Sequence, residues 1–347
     1  SKPNSMQHNS FTPTLISWYH RCGRDLPWRH THDPYAIWLS EVIMQQTRIA
    51  QGMAYWERFM SRFPTVDDLA AATEDEVLRL WQGLGYYSRA RNLHEAARQI
   101  VSHGSFPDSL ADIQRLKGVG VYTAAAIASF AFGIKAAAVD GNAYRVLSRV
   151  FGIDTPINST EGKHLFQQLA DSLITDLPAN EEAGNFNQAM MDFGATCCTP
   201  KAPKCTECPF VETCEALRSD RIDTLPVKNR TVTVKTRHLD YVFISCQGFC
   251  ALRRRGAGDI WQGLWEPCLF EDEPIPNWDG TLTLLANDVR HVLTHRVILA
   301  NFYLLQTDVR PELPAEYIWI KQDEINRYAV PRLVELLFEA VAQKGLL

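Results

Sequence analysis

The sequence predicts a mainly α-helical protein with a smaller α+β domain at its carboxyl end. The chain of 347 residues is longer than one typical hydrophobic core accommodates, so two domains are expected. Apolar residues recur at helical spacing from residue 34 to about residue 210, and strand-like alternation appears beyond residue 238. Hydrophobic residues make up 46% of the chain and charged residues 22%, which is typical of an ordinary globular protein.

The elements follow from this periodicity in chain order. The first domain is expected over residues 6–217, with its clearest helices over residues 75–80, 89–101, 123–132 and 186–194. Residues 218–237 are rich in charge and Thr and contain Pro226, so they are predicted to form a linker. The second domain is expected over residues 238–347, with strands over 241–246, 249–253, 297–305 and 316–320 and a helix over 331–343.

Charge and hydropathy limit the partners and the cellular compartment expected for this chain. The formal net charge of -5 does not favour a nucleic-acid partner, so any DNA contact must come from local clusters and backbone amides. The sequence contains no run of about 18 apolar residues, so no membrane span is expected. Residues 1–10 are polar and lack the apolar centre of a signal peptide. We therefore expect a cytoplasmic protein in a reducing compartment.

The cysteines indicate a metal centre. Four of the nine cysteines occur within residues 198–214, at Cys198, Cys205, Cys208 and Cys214. A zinc site more often has two separated C-x2-C pairs, whereas this sequence has one pair between two single cysteines. That spacing favours the four-thiolate ligation of a cubane iron–sulfur cluster. Cys197 adjoins the first ligand, and spacing alone favours Cys198 over it.

A glycine-containing turn separates two predicted helices at Lys117-Gly118-Val119-Gly120. Two glycines let the backbone turn tightly, and the amide N–H groups at the start of the second helix favour an anion. The turn could hold a DNA phosphate without reading sequence, or it could be an ordinary helix–turn–helix connection. The pattern alone leaves both interpretations open.

Two acidic residues are candidates for catalysis. Asp140 precedes a predicted helix, where an Asp is by default an N-cap, but a rigid carboxylate there could also face a developing positive charge. Glu41 falls on a polar helix face, where an ordinary solvated Glu is expected. A partly buried Glu with a raised pKa would instead be a general acid. Periodicity does not choose between these roles.

Together the motifs resemble the helix–hairpin–helix base-excision glycosylases, and within them the MutY family of adenine glycosylases. The resemblance spans residues 24–214 in family order. Its carriers are the cysteine loop and the motifs Leu26-Pro27-Trp28-Arg29, Trp38-Leu39-Ser40-Glu41-Val42, Gln45-Gln46-Thr47, Gly83-Leu84-Gly85-Tyr86-Tyr87, Leu116 to Gly120, Val139-Asp140-Gly141-Asn142 and Phe186-Asn187-Gln188-Ala189. It implies a helix–hairpin–helix domain with a [4Fe-4S] cluster on the four cysteines.

The resemblance also implies roles in catalysis. Glu41 corresponds to the acid that protonates adenine N7, and Asp140 to the carboxylate that stabilises the oxocarbenium ion or briefly bonds to the sugar. This division of labour is similar to that of retaining glycosidases. Tyr122 and Asn142 resemble residues that position those acids.

Binding residues follow from the same resemblance, because the target base must leave the stack to be reached. Arg29 and Gln188 match positions that line the adenine pocket, although the position of Gln188 holds Glu in some relatives. The further residues implied are pocket walls at Trp28, Met44 and Met191, duplex wedges at Gln46 and Tyr86, neighbours of the opposite base at Thr47 and Leu84, and phosphate contacts at Lys117, Gly118, Val119 and Gly120.

Position 122 distinguishes two groups of relatives. The endonuclease III-like lyases resemble this chain in hairpin, Asp and cluster, but they place a Schiff-base Lys two residues after the second hairpin glycine. Here that residue is Tyr122, which cannot form an imine. A monofunctional glycosylase is therefore expected.

The second domain resembles, more weakly, the Nudix-like domain that reads 8-oxoguanine in this family. The match is carried by residues 263–267 and 290–295. Many relatives have Phe-Ser-His where this chain has Leu293-Thr294-His295, so Thr294 and His295 are the expected lesion contacts. No Arg-Glu pair of a magnesium-binding Nudix helix occurs after residue 230, which favours recognition over hydrolysis.

The sequence thus predicts a monomeric bacterial adenine glycosylase, associated with the nucleoid. Its expected substrate is duplex DNA containing adenine opposite 8-oxoguanine or guanine. Two other functions are weighed against it. A non-catalytic DNA-damage-binding module is disfavoured because both acids are present, and a nucleotide-pool hydrolase is disfavoured by the missing metal helix.

Overall fold

The computed structural model describes residues 5–230 and 233–347, so residues 231 and 232 of the predicted linker lie outside the described residues. The chain divides into two compact units that do not follow chain order. The first comprises Ser1–Asp67 and Glu95–Arg230, and the second comprises Asp68–His94 and Thr231–Leu347. A stretch of the helical region thus groups with the carboxyl-terminal part.

Helices dominate the chain up to residue 218. In chain order they are α1 Ser5–Cys22, α2 Pro34–Met44, α3 Ile49–Arg62, α4 Val66–Ala71, α5 Glu74–Trp81, α6 Ser88–His103, α7 Leu110–Gln114, α8 Val121–Phe132, α9 Gly141–Phe151, α10 Thr160–Ile174, α11 Ala183–Thr196, α12 Glu215–Arg218 and, near the carboxyl end, α13 Arg332–Ala342. The predicted helices over 75–80, 89–101, 123–132, 186–194 and 331–343 are confirmed as α5, α6, α8, α11 and α13.

The core of the first unit is built around α1, α9 and α11. Helix α1 begins before the stretch in which the sequence predicts helices, yet its Phe11, Leu15 and Trp18 are fully or almost fully buried. These positions share one helix face, which packs against α11 and α10. The apolar face of α1 therefore supports α11, which carries residues of the candidate site.

The second unit contains a seven-stranded mixed sheet. Its strands are β1 Lys235–Cys246, β2 Phe249–Arg254, β3 Trp265–Glu266, β4 Cys268–Phe270, β5 Thr281–Val292, β6 Arg296–Thr307 and β7 Tyr317–Lys321. The order is β3-β2-β1-β6-β5, with β4 paired to β1 and β7 to β2. Strands β1 and β6 are parallel over their whole length, and the other pairs are antiparallel.

Strands β1, β2, β6 and β7 confirm the four strands that the sequence predicts. Strand β1 begins at Lys235, so it occupies the end of the predicted linker. Strand β5 was not predicted. It lies at the sheet edge, most of its residues are not buried, and its pairing shifts register twice between Leu284 and Val289, so it lacks a clean alternation.

Helix α13 covers one face of this sheet. Its Leu333, Leu337 and Val341 are fully buried in a cluster with Phe243 and Phe302 of the central strands. Across residues 5–230 and 233–347, no helix combines the length and apolar character needed to cross a bilayer.

Residues 68–94 join the second unit through specific polar contacts. The Gln82 side chain accepts a bond from the backbone N–H of Val330 at 3.1 Å, and the Tyr87 hydroxyl donates to the Val330 carbonyl at 3.2 Å. The indole N–H of Trp265 donates to Asp75 at 3.2 Å. These contacts fix the loop 83–87 relative to the sheet.

Candidate active site

Helix α2 holds Glu41. Its start is defined by Asp33, whose side chain accepts the backbone N–H of Tyr35 at 3.1 Å, and by Pro34 in the first helical position. Every residue over 35–43 is buried except Glu41, which retains partial exposure. A carboxyl group is thus presented from an otherwise enclosed helix.

Asp140 caps helix α9, so the N-cap interpretation is confirmed. Its two oxygens accept the backbone N–H of Ala143 at 2.8 Å and the side-chain amide of Asn142 at 3.0 Å. The oxygen of Asn142 in turn accepts the guanidinium of Arg145 at 2.7 Å. Asp140 is therefore held in one orientation by its own helix.

The two carboxyl groups interact electrostatically. Burial raises the pKa of Glu41 to about 7, and the negative charge of Asp140 adds to the rise, while the Tyr122 hydroxyl and Arg29 oppose it. Burial also raises the pKa of Asp140, but the N–H of Ala143, the amide of Asn142 and Arg145 counteract this effect. Glu41 is thus suited to carry a proton near neutral pH beside an acid that has donors to stabilise its charge.

Tyr122 lies at the second position of α8. Its hydroxyl donates to Oε2 of Glu41 at 3.4 Å and lies 3.9 Å from the sulfur of Met191. Burial and the two nearby carboxylates raise its pKa well above its ordinary value, so the phenol stays neutral. The structure therefore brings Tyr122 to Glu41, and Met191 to Tyr122.

A buried carboxylate that the sequence analysis missed holds Arg29. Asp192 on α11 is fully buried and accepts both terminal nitrogens of Arg29 at 2.7 Å. It also accepts the Nε of Arg24 at 2.8 Å and the backbone N–H of Arg24 at 2.7 Å. An acid among the apolar residues of α11 was the available signal, but its partners lie more than 160 positions away.

Arg29, Trp28 and Gln188 line one cavity of about 230 Å³, together with Tyr19 and Phe130. Three of the five predicted adenine-pocket residues are thus together. The fourth, Met191, contacts Tyr122 instead. The fifth, Met44, packs against Gly52, where a Cβ atom would come within 2.6 Å of its sulfur.

The two predicted wedge residues share an unusual backbone conformation. Gln46 in the first unit has φ of 56°, Tyr86 in the second has φ of 47°, and both side chains are exposed. Non-glycine residues in this left-handed region are strained, and such residues concentrate at functional sites. Thr47, beside Gln46, donates to the carbonyl of Gln45 at 3.2 Å.

In the second unit the loop 83–87 faces the turn between β5 and β6. The hydroxyl groups of Tyr86 and Thr294 are 3.0 Å apart, and Thr294 and His295 are exposed. Leu84 is buried, which anchors the loop. The predicted wedge and the predicted lesion contact therefore lie side by side within this unit.

The segment between β4 and β5 was compared with the magnesium-binding helix that a nucleotide hydrolase of the Nudix type would need. Residues 271–280 are all described and form no helix, so no metal-binding helix follows β4. Glu266, from the second-domain motif, is fully buried and is held by Arg255 at 2.7 Å and Arg253 at 3.1 Å. Both oxygens of the Glu266 carboxylate are therefore paired with arginines, which gives this residue a structural role in the second unit.

The glycine-containing turn connects α7 to α8. Gly118 has φ of 75°, which a side chain would disfavour, and Gly120 begins α8 without a side-chain cap. The N–H of Lys117 donates to Gln99 at 2.7 Å and that of Val119 to the Leu116 carbonyl at 3.1 Å. Lys117, Gly118 and Gly120 are exposed and Val119 is buried, so this turn presents an uncapped helix start to solvent.

The predicted cluster cysteines enclose a small apolar space. Cys198, Cys205, Cys208 and Cys214 all line it, as does Cys197. The N–H of Phe210 points to the sulfur of Cys208 at 3.4 Å. Within the described part of the chain, no group of three or more His, Cys, Asp or Glu residues is arranged to hold a metal ion. Four thiols around one apolar space nonetheless fit the four-thiolate ligation of a cluster, which spreads its ligands more widely than a single ion does.

Two arginines of α9, which the sequence analysis also missed, connect the cysteine loop to the region around Asp140. Arg145 donates to the carbonyl of Cys198 at 2.8 Å as well as to Asn142. Arg149 is almost fully buried, donates to the carbonyl of Thr199 at 2.7 Å and lies 3.6 Å from the sulfur of Cys198. The cysteine loop and Asp140 are therefore joined through one helix.

Comparisons with known proteins identify the class of the chain. The family model described as HhH-GPD superfamily base excision DNA repair protein matches residues 39–171, and a NUDIX domain model matches residues 241–340. A thermostable thymine-DNA glycosylase of known structure has a TM-score of 0.57 at 31% identity, over 62% of this chain and 98% of that chain. The two family models and this structural likeness define a base-excision DNA glycosylase joined to a NUDIX-type domain.

Relatives specify the family. The adenine DNA glycosylase of Buchnera aphidicola subsp. Baizongia pistaciae is 33% identical over 303 residues, which are 84% of each chain. The adenine DNA glycosylase of Mus musculus is 45% identical over 218 residues, which are 60% of this chain and 42% of that protein, so this chain matches less than half of the mouse relative. The chain belongs to the adenine DNA glycosylase family of base excision repair enzymes.

Proposed function

We propose that this chain excises adenine opposite 8-oxoguanine or guanine in duplex DNA and leaves the strand intact. As a member of its family it is an adenine DNA glycosylase, a hydrolase of N-glycosyl bonds. The observation that carries the proposal is the carboxyl pair: Glu41 has its pKa raised to about 7 beside the firmly bonded Asp140.

In the proposed reaction the target adenine leaves the stack and enters the site. Glu41, protonated near neutral pH, donates its proton to adenine N7 and makes the base a better leaving group. Asp140, held by Asn142 and the Ala143 N–H, stabilises the positive charge that develops on the sugar. Water from solvent then adds to the sugar carbon that held the base and loses a proton, which completes the hydrolysis. Tyr122 orients Glu41, and Trp28, Arg29 and Gln188 line the cavity that would receive the base. Met191, against Tyr122, and Met44, against Gly52, are the walls proposed outside that lining.

Tyr122 supports hydrolysis alone. It occupies the position of the lysine that forms a Schiff base in the related lyases, and its neutral phenol has no amine to attack the sugar. Base release without strand cleavage follows.

We assign DNA binding to groups in both units, most of them exposed. The exposed turn at Lys117, Gly118, Val119 and Gly120 would bring a phosphate to the uncapped start of α8, whose first backbone N–H groups would bind it. The N–H groups of Lys117 and Val119 are bonded within the chain and hold the shape of the turn. Gln46 and Tyr86 enter the duplex, and Thr47 and Leu84 lie beside the opposite base. Thr294 and His295 contact 8-oxoguanine.

Cys198, Cys205, Cys208 and Cys214 would hold a [4Fe-4S] cluster, supported by their shared cavity. Bound there, the cluster would brace the loop over residues 198–214. We expect the purified protein to be brown, with broad visible absorbance. Its iron content should be about four per chain, the stoichiometry of one [4Fe-4S] cluster. A colourless, zinc-containing preparation would contradict this assignment.

Functionally, we divide the chain into a glycosylase region over residues 6–217, a linker over 218–237 and a lesion-reading region over 238–347. We propose that the protein acts as a monomer on the nucleoid of a bacterial cytoplasm.

A base-release assay tests the proposal under single-turnover conditions. Duplexes carry adenine opposite 8-oxoguanine, guanine or cytosine, and free base and strand cleavage are measured separately. We expect adenine release opposite 8-oxoguanine and guanine, slower release opposite cytosine, and strand cleavage only after alkali. Tight duplex binding without adenine release would instead identify a damage-binding module.

A further inference from the structure

Gln188 presents an amide whose orientation matters for recognition. Its side chain lines the cavity shared with Trp28 and Arg29. An amide has an oxygen that accepts and a nitrogen that donates two hydrogens, so rotating it by half a turn exchanges acceptor for donor. Whatever fixes this rotation decides which base edge the cavity favours.

Tyr19 is placed to fix it. Tyr19 lies near the end of α1, which packs against α11, where Gln188 is located. Its hydroxyl donates to Oε1 of Gln188 at 2.7 Å. Burial raises the pKa of Tyr19 above its ordinary value, so the O–H remains available as a donor across the physiological range.

The amide nitrogen is left to face the cavity. Within the described residues, the hydrogen bond from Tyr19 is the one that the Gln188 side chain makes, and it uses the oxygen. Gln188 is only partly buried and lines the cavity, so its amide nitrogen is available to a bound ligand. Two N–H groups are therefore available to a bound base.

We propose that Tyr19 is a positioning residue that sets the specificity of the cavity by holding Gln188 with its amide N–H toward the base. The N–H would donate to a ring nitrogen of adenine other than N7, because N7 receives the proton of Glu41. This inference rests on the proposed function and adds a residue to it. Tyr19 need not touch the base itself.

Substrate analogues test the inference because they remove one ring nitrogen at a time. Duplexes carry adenine, 1-deazaadenine or 3-deazaadenine opposite 8-oxoguanine, and all three keep N7 for protonation by Glu41. Wild-type protein should release one of the analogues more slowly than adenine. In Tyr19→Phe this discrimination should fall by about three- to tenfold, the contribution of one hydrogen bond.

The double variant separates positioning from a general effect on folding. In a Gln188→Glu background the side chain has no N–H to aim, so Tyr19→Phe should leave the rate ratio of analogue to adenine unchanged. If Tyr19→Phe does not fold, as judged by thermal melting, Tyr19→Leu takes its place, because it also removes the hydroxyl that bonds to Gln188. Unchanged ratios for both analogues in Tyr19→Phe, or in Gln188→Glu, overturn the inference while adenine release by the wild type still upholds the proposed function. Wild-type protein that releases no adenine overturns both.

Discussion

Glu41 and Asp140 lie in the first unit among groups that are mostly buried, and each is oriented by named partners. In the second unit Tyr86 and Thr294 meet at the surface, where each is exposed and their hydroxyl groups bond to each other. The first arrangement has its donors in place before any ligand arrives, and the second uses groups that a ligand can take over. Burial therefore separates the part that would perform chemistry from the part that would read DNA.

Substituting Glu41 tests the buried side of this comparison and should have the largest effect. Glu41→Gln keeps the shape of the side chain but has no proton to donate, so base release should fall by at least about a thousandfold, near the upper range for a general acid. Duplex affinity should change little, as measured by titration with labelled DNA. Glu57→Gln, an exposed change on α3, is the matched control. Substantial release by Glu41→Gln would remove the assigned acid role.

The same variant should stabilise the protein at high pH. Because the folded-state pKa of Glu41 is raised to about 7, stability from this group is fully present below the unfolded value near 4.5 and is lost as pH rises through about 7. Glu41→Gln should therefore raise the free energy of unfolding by about 1–2 kcal/mol at pH 8, after allowing for partial exposure, and hardly change it at pH 4.

Asp192 provides the next largest effect, on folding. Asp192→Asn removes a fully buried charge that neutralises Arg24 and Arg29, so unfolding should become easier by about 3 kcal/mol or more. Asp112→Asn breaks the exposed pair with Arg115 and should cost less than about 0.5 kcal/mol. Chemical denaturation measures both. Similar losses in the two variants would mean that Asp192 does not organise the pocket.

The pH profile of base release should show a third effect. Since Glu41 must be protonated to act as an acid, the single-turnover rate should fall about tenfold per unit as pH rises above about 7. Asp140 must be ionised, and its N–H donors favour that form, so the profile should fall again at low pH. A rate that stays flat from pH 6 to pH 9 would show that protonation of Glu41 does not limit the reaction.

Sequence and structure contribute unequally to these two regions. Local spacing predicts helices α5, α6, α8 and α11 and the capping role of Asp140, because each depends on neighbours within a few residues. Periodicity gives no sign of Glu41 as an acid, and its expected role comes from family resemblance. Its raised pKa depends on burial and on Asp140, which lies about a hundred positions away.

The missed residues share one physical cause. Asp192, Tyr19 and Arg145 matter through partners contributed by other elements, such as the Tyr19–Gln188 bond across 169 positions. The grouping of residues 68–94 with the second unit is equally non-local, because it depends on contacts such as those of Gln82 and Tyr87 with Val330. No local pattern encodes such pairings.

The exposed contact should respond least to substitution. Tyr86→Phe and Thr294→Val each remove one hydroxyl of a solvent-accessible pair, so the free energy of unfolding should change by less than about 0.5 kcal/mol. If both hydroxyl groups contact DNA, Thr294→Val should instead change substrate preference. The ratio of adenine release opposite 8-oxoguanine to release opposite guanine should fall about three- to tenfold, as expected for one lost hydrogen bond. The double variant measures their coupling in both assays. Loss of folding stability without loss of preference would assign this contact to the structure of the second unit, and the contrast with the buried acids would then be one of burial alone.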